Sequence, residues 1–334
     1  MPFRDLAGHR VLLDLVARAA ARGSLPPSLI FAGPDGVGKR LAALSLAQLF
    51  NCTSPGGATG ELAPDACGNC GACRRIARGV HADVLTIEPG DSGSIKVDQV
   101  RGAIERTAYR PFEGRRRVVI IDEADAMEAP PQNALLKTLE EPPSASTFVL
   151  VTSRPDVLLP TVRSRCQRVR FGPLAPGDIA QVLMRDHGFG ERDAHAAASA
   201  AEGSIGRAIE GDTEAYVGAR DAAEAMLKTV AQAATPGQRL AAARALGGDR
   251  MDRDELGRRL RLVASLLRDL GLLHARAGDR ALANGDLKPL LERLLPSFGA
   301  DRAVQAYAAV DKALAALDRN ASPKIVADWL AFQV

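Results

Sequence analysis

Short, mostly apolar runs alternate with longer amphipathic ones through the first half of the chain. Leu29-Ile30-Phe31-Ala32, Val84-Leu85-Thr86-Ile87, Val118-Val119-Ile120-Ile121 and Phe148-Val149-Leu150-Val151 are too short for helices and show no polar face. Runs of that kind are strands covered on both sides, as in a parallel sheet. Val169-Arg170-Phe171 predicts a fifth. Between them, Leu12 to Ala21, Leu41 to Phe50 and Gln99 to Ala108 place apolar residues at helical spacing, as Leu41, Leu44, Ala47 and Leu49 illustrate. Pro130-Pro131 opens another helix that runs through Asn133–Leu139, and Pro142-Pro143 closes it. Strands alternating with helices predict an α/β fold with a doubly wound parallel sheet.

After Gly172-Pro173 the strand pattern stops. Asp178 to His187, Ala194 to Ala201 and Ile205 to Glu210 read as a small helical unit, and from Thr213 long Ala/Leu/Arg helices follow, including Leu256–Leu273 and Arg302–Leu317. Leu260, Val263, Leu267 and Leu270 lie on one face, a packing stripe. The expected division is residues 1–172, 173–212 and 213–334, with a Pro/Gly/Ser/Thr-rich insertion at about 51–80 in the first.

A chain of 334 residues is long enough for such domains to have cores of their own. Its 46% apolar and 25% charged content are ordinary for a globular protein, and 4% aromatic content with abundant Ala, Leu and Arg favours helix. A net charge of +3 does not by itself argue for nucleic acid, and Arg115-Arg116-Arg117 reads as a solvated face. No apolar run approaches the ~20 residues of a membrane span. The start, Met-Pro-Phe-Arg-Asp-Leu, has no signal-peptide core, so a cytoplasmic location is expected.

The chemistry begins where the first strand ends. Residues 33–40 read Gly-Pro-Asp-Gly-Val-Gly-Lys-Arg, so Gly33, Gly38 and Lys39 fit the G-x-x-x-x-G-K frame, with Gly36 between them. Backbone N–H groups of such a loop and the following helix N-terminus cradle phosphates, and Lys39 adds a point charge. Arg40 stands where a Ser or Thr hydroxyl would bind Mg²⁺, and it offers no lone pair. Asp122 and Glu123, at the end of the third strand, are placed to hold the metal through water and to orient an attacking water. The pattern thus predicts at most weak binding of ATP or ADP, Mg²⁺ poorly supported, and little turnover. A glycine turn with an incidental lysine is the plainer alternative.

Cys67-Gly68-Asn69-Cys70-Gly71-Ala72-Cys73 presents three thiols, and Cys52 lies upstream at the end of the loop helix. Four thiolates on a glycine-rich loop suit a closed tetrahedral Zn²⁺ site of structural type. A redox Cys-x-x-Cys pair is the rival, and His81 is an alternative fourth ligand. Cys166 reads as a small buried hydrophobe.

Taken together, Gly33–Lys39, the four cysteines, Ile120-Ile121-Asp122-Glu123-Ala124-Asp125, Asn133–Pro143 and Ser164-Arg165-Cys166 resemble the bacterial clamp-loader subunits of the AAA+ class, and the delta-prime branch of DNA polymerase III more than the motor branch. The likeness covers residues 8 to about 210 and implies a P-loop AAA+ domain, a helical lid and an all-α collar. It implies a five-membered ring with gamma/tau motor subunits and a delta subunit, which uses ATP to place a sliding clamp on primed DNA. Arg165 corresponds to the family's arginine finger, reaching the ATP of a neighbour, and Thr152 to the residue that senses the γ-phosphate. Active relatives carry Gly-Ser-Leu-Arg-Asp-Ala where this chain has Gly203-Ser204-Ile205-Gly206-Arg207-Ala208, so Gly206 replaces the sensor arginine and Arg207 falls about 100° round the helix. Motor relatives usually have an extended leader and a long C-terminal extension, and the abrupt start before Gly8-His9 and the stop after Trp329-Leu330 favour the delta-prime branch. The expected function is a scaffold that donates Arg165 in trans. The alternatives are a self-sufficient AAA+ ATPase, whether motor subunit or helicase-like, and a zinc-dependent nucleic-acid binder. Arg74, Arg75 and Arg78 support the last, but no aromatic accompanies them for base stacking.

Overall fold

The structure, a computed structural model, describes residues 1–56, 63–247, 252–278 and 282–334. Part of the expected insertion (57–62) and two short stretches of the expected helical region (248–251 and 279–281) lie outside the described residues. The chain divides into two compact units, Met1–Pro173 and Leu174–Val334.

The first unit is built on a five-stranded sheet. In chain order its elements are α1 (Arg10–Ala21), β1 (Ser28–Ala32), α2 (Lys39–Asn51), α3 (Gly71–Ala77), β2 (Val84–Ile87), α4 (Val97–Thr107), β3 (Arg117–Ile121), α5 (Ala129–Glu140), β4 (Ser146–Thr152), α6 (Pro160–Arg163) and β5 (Gln167–Arg170). Every pairing is parallel and the order across the sheet is β2-β3-β4-β1-β5. β1, β3 and β4 are buried along their whole length, as continuous apolar runs require in the middle of a covered sheet. The register sets Ile87 beside Ile121, Ala32 beside Thr152 and Ala32 beside Arg170. The carboxyl ends of neighbouring strands therefore lie in a row.

The helices start and stop where their chemistry dictates. α5 has proline in its first turn, where no intrahelical N–H bond is lost, and it ends just before Pro142-Pro143. Ile30, Val119, Ile121, Leu135, Leu139, Phe148 and Leu150 share one buried core between sheet and helices. α3 carries no signal in the sequence, where the cysteine stretch reads as a glycine-rich loop. The Cys70 thiol at its N-cap accepts the Cys73 N–H, which starts a helix on a short segment.

The second unit is entirely helical among its described residues: α7 (Pro176–His187), α8 (Glu191–Ala200), α9 (Ile205–Glu210), α10 (Thr213–Gln232), α11 (Pro236–Ala245), α12 (Arg253–His274), α13 (Lys288–Leu294), α14 (Ala300–Asp318) and α15 (Pro323–Gln333). Thr235 accepts the Gln238 N–H while the Gln238 side chain accepts the Thr235 N–H, a capping box that fixes the start of α11. Leu260, Val263, Leu267 and Leu270 are at most 1% exposed, in a core shared with Met226, Leu227, Phe298, Val310 and Leu330. The apolar stripe on α12 is packing.

Candidate functional site

The glycine loop leaves β1 at Ala32 and enters α2 at Lys39. A Cβ on Gly33 would lie 2.2 Å from the Phe171 carbonyl oxygen, so only glycine lets the loop pass the end of β5. Gly36 and Gly38 hold φ of 71° and 91°, left-handed values that glycine adopts without strain. Left-handed residues set among right-handed ones turn successive backbone N–H groups toward one point, the anion-holding concavity of a phosphate loop. Lys39 is 6% exposed, and its Nζ donates to the carbonyls of Gly33 (2.7 Å) and Pro34 (2.6 Å), with Asp35 at 3.7 Å. The lysine thus clips the two ends of the loop together. Burial lowers its pKa, and the carboxylates of Asp35 and Asp122 oppose that shift.

Arg40 follows in the first turn of α2 and binds two carboxylates. It pairs with Glu88, the residue after β2, and with Asp122 Oδ2 at 3.4 Å. Because Ile87 and Ile121 are register partners, Glu88 and Asp122 emerge side by side. Glu88 escaped the sequence reading. The signal was its place one residue beyond an apolar run whose neighbour ends in Asp122. Burial raises the Asp122 pKa and the Arg40 charge opposes it. Mg²⁺ needs near-octahedral oxygen ligands at roughly 2.1 Å. Here the carboxylate such an ion would use is engaged by a guanidinium, and the residue after Lys39 supplies no oxygen, so these residues do not fit the ion. Glu123 is exposed, with φ of 47°, and its N–H donates to Asp122 Oδ1 at 3.1 Å.

One strand further, Thr152 Oγ1 donates to Asp125 at 2.6 Å, Arg154 Nε donates to the other Asp125 oxygen at 2.8 Å, and the Arg154 N–H reaches Thr152 Oγ1 at 3.0 Å. Burial disfavours a charged Asp125, but these donors outweigh it and its pKa is lowered. Gly33, Gly36, Gly38, Lys39, Arg40, Asp122, Asp125 and Thr152 all stand at or just beyond the carboxyl ends of their strands.

Arg165 does not. It precedes β5, and β5 pairs with β1 from Gln167 beside Leu29, so Arg165 lies at the opposite end of the sheet from Gly33. At about 3.3 Å per strand residue that separation is roughly 20 Å. Its guanidinium pairs with Glu140, the last residue of α5, and donates to the Thr161 carbonyl at 2.9 Å, with 31% of the side chain exposed. Glu140 was not singled out from the sequence. In the helical unit, Arg207 on α9 is tied to Glu202 at 2.7 Å, and its N–H donates to Ser204 Oγ.

The sulfur atoms of Cys52, Cys67, Cys70 and Cys73 lie within 4.8 Å of one another. Tetrahedral Zn–S bonds of 2.3 Å would set them about 3.8 Å apart, so the set fits a metal with small adjustment. Backbone N–H groups of Cys67, Cys70 and Cys73 point at the sulfurs of Cys52, Cys67 and Cys70 at 3.2, 3.3 and 3.5 Å. Burial opposes ionisation at all four. It prevails at Cys52 and Cys73, while the backbone N–H groups prevail at Cys67 and Cys70 and bring Cys70 to about 5. Side chains steady the surrounding backbone: Gln48 on the Cys73 carbonyl (2.8 Å), Arg115 on that of Cys52 (2.5 Å) and Arg4 on that of Cys67 (2.9 Å). His81 is buried elsewhere, accepting the Asp83 N–H at Nδ1 and facing Glu113 with Nε2. Among the described residues the metal-type cluster is the four cysteines. Cys166 sits in the sheet core, where burial pushes its thiol up to about 12.

A parallel sheet in this order, with a lysine-clipped glycine loop after β1 and acidic residues after β2 and β3, defines a P-loop domain of the AAA+ class. The family model for "DNA polymerase III, delta subunit" matches residues 8–175, just over half of the chain, and the chain belongs to that clamp-loader family. It is 34% identical over 212 residues to DNA polymerase III subunit tau of Escherichia coli K12, covering 62% of this chain and 32% of that protein. It is 37% identical over 173 residues to the delta' subunit of Bacillus subtilis 168, covering 52% and 50%. The chain thus spans a third to a half of the length of these curated relatives. A solved gamma subunit-related protein of Thermotoga maritima aligns over 96% of this chain and 97% of its own, at 18% identity and a TM-score of 0.36.

Proposed function

We propose that the chain is a delta-prime-type subunit of the DNA polymerase III clamp loader, which donates Arg165 to the ATP of a neighbouring motor subunit and hydrolyses little itself. The observation that carries this is the placement of Arg165 about one strand length from the chain's own glycine loop, on the far end of the sheet. From there it serves a nucleotide held by another molecule. Arg40, bound to Asp122 and Glu88, supports the second half, because it occupies the machinery a hydrolytic metal would need. In this reading the ring joins gamma/tau and delta subunits, acts on the sliding clamp and primed DNA, and works in the cytoplasm. Residues 173–212 serve as lid and 213–334 as collar. The cysteine cluster holds structural Zn²⁺. Thr152 and Glu123 are remnants of a motor site.

Arg165→Ala in the reconstituted complex is expected to leave the ring intact and to lower its primed-DNA-stimulated ATPase several-fold, since a finger is worth orders of magnitude at the one site it serves. An unchanged rate in an intact ring would end this reading.

A motor-type ATPase is the second reading. It is favoured by the identity to subunit tau, the retained Lys39 clip and the exposed Glu123. It requires that the purified chain turn over ATP with Mg²⁺ and that Glu123→Gln abolish that turnover.

A further inference from the structure

We propose that the glycine-loop site of this chain takes a nucleoside di- or triphosphate without a divalent cation, with the Arg40 guanidinium in the role of the metal. The proposal deepens the P-loop reading of the site and rests on it, and it is independent of the donated Arg165.

Two features of the site carry it. The loop is held in shape by its own lysine, because Nζ ties the Gly33 and Pro34 carbonyls to the start of α2. That contact does not require a metal. Next, a cation is already built into the corner where a metal would sit. Arg40 bridges Glu88 and Asp122, the two carboxylates at the ends of β2 and β3. A divalent ion entering there would face a fixed positive charge and find Asp122 engaged. A guanidinium, by contrast, is itself suited to phosphate: it is planar, permanently charged and presents five N–H donors in a fork. Here Nη1 and Nη2 each meet one carboxylate, which leaves donors on the same group, and the side chain is about half exposed at 49%. It therefore turns to a phosphate oxygen without emerging from a buried site. Arg40 also lies in the first turn of α2, whose N-terminal end favours anions. The arrangement binds phosphate yet lacks an ion to bridge the β and γ groups during transfer, so it holds nucleotide without spending it.

The test is titration of the purified full-length chain with fluorescently labelled ADP, with millimolar Mg²⁺ and again after Mg²⁺ has been dialysed away. Dialysis is used because a chelator would also strip the cysteine cluster. The two affinities are expected to agree within about twofold. A tenfold or greater loss without Mg²⁺, on the order of 1.4 kcal/mol, overturns the proposal, as does absence of binding in both buffers. Arg40→Ser restores the hydroxyl and removes the cation. It is expected to bind poorly without Mg²⁺ and to recover when Mg²⁺ is added, and a variant as indifferent to Mg²⁺ as the parent contradicts the assignment. Asp122→Asn guards against a folding artefact at Arg40. It removes the carboxylate a metal would use and frees the guanidinium, so binding is expected to hold or tighten in both buffers, and weakening overturns the idea. These readouts involve neither Arg165 nor an assembled ring, so failure here and failure of the trans-donation reading are separable.

Discussion

Asp83, fully buried just before β2, accepts N–H bonds from Phe112 (2.7 Å), Glu113 (2.8 Å) and Gly114 (2.7 Å) and a charged bond from Arg117 (2.8 Å). Burial alone would raise its pKa, but the three backbone donors and the guanidinium reverse that and hold it at about 2, against an ordinary value of 3.8. A carboxyl whose folded pKa lies below its unfolded one stabilises the protein above the unfolded value and loses that contribution as pH falls through the folded one. The contribution is therefore intact above about pH 4 and gone near pH 2, and the shift corresponds to about 2 kcal/mol. Asp83→Asn is expected to flatten acid unfolding in that window and to lower stability at pH 7, as urea titration across pH 2–7 would reveal. At the same scale, Glu140 is paired with Arg165. On the proposed donation of Arg165, Glu140→Gln frees the guanidinium, so the assembled complex is expected to show unchanged or faster ATPase where Arg165→Ala is expected to lower it. A Glu140→Gln complex as slow as Arg165→Ala would mean the pair acts as a structural unit. Motif spacing made Gly33, Lys39 and Asp122 legible from sequence. Their partners Glu88 and Glu140 were not, because each meets its arginine only after distant segments are brought together.

Among the elements, the strands were legible because continuous apolar runs of four residues have few other uses, and the edges of β1, β3 and β4 moved by only a residue or two. α3 was not. A run of Cys, Gly, Asn and Ala carries no helical apolar period, and the helix forms because the Cys70 sulfur caps it and Ile76 is buried beneath it. Those sulfurs also bind the end of α2 to the start of α3. The purified protein is expected to contain one zinc per chain by elemental analysis. Removing it, or replacing Cys70 by Ser, is expected to expose residues 63–77 to proteolysis while the sheet persists. Structural zinc contributes on the order of 10 kcal/mol to the fold of a small site. Full resistance to protease without metal would show that hydrogen bonds alone hold the cluster.

For the whole molecule, the sequence pattern changes from strands to helices at Gly172-Pro173, and the chain forms two compact units, Met1–Pro173 and Leu174–Val334, where three segments were expected. The order β2-β3-β4-β1-β5 could not be read from the chain, since β1, β3 and β4 are apolar on both faces and nothing in the pattern says which neighbours which. The helical unit has its own core, drawn from residues 219 to 334. A fragment of residues 174–334 is accordingly expected to give a helical circular dichroism spectrum and a single cooperative melt. A broad, non-cooperative loss of signal would mean that the core needs the first unit.

β5 closes one border of the sheet with only Val169 covered, and Arg168 and Arg170 stand out on either side of it. A bare strand at a border is a template onto which a foreign strand can zip through its backbone, and paired cations deter that. Arg165 lies two residues upstream. In the proposed assembly, a partner drawn to that guanidinium would grip side chains rather than extend the ladder, and would let go again without tearing a sheet apart.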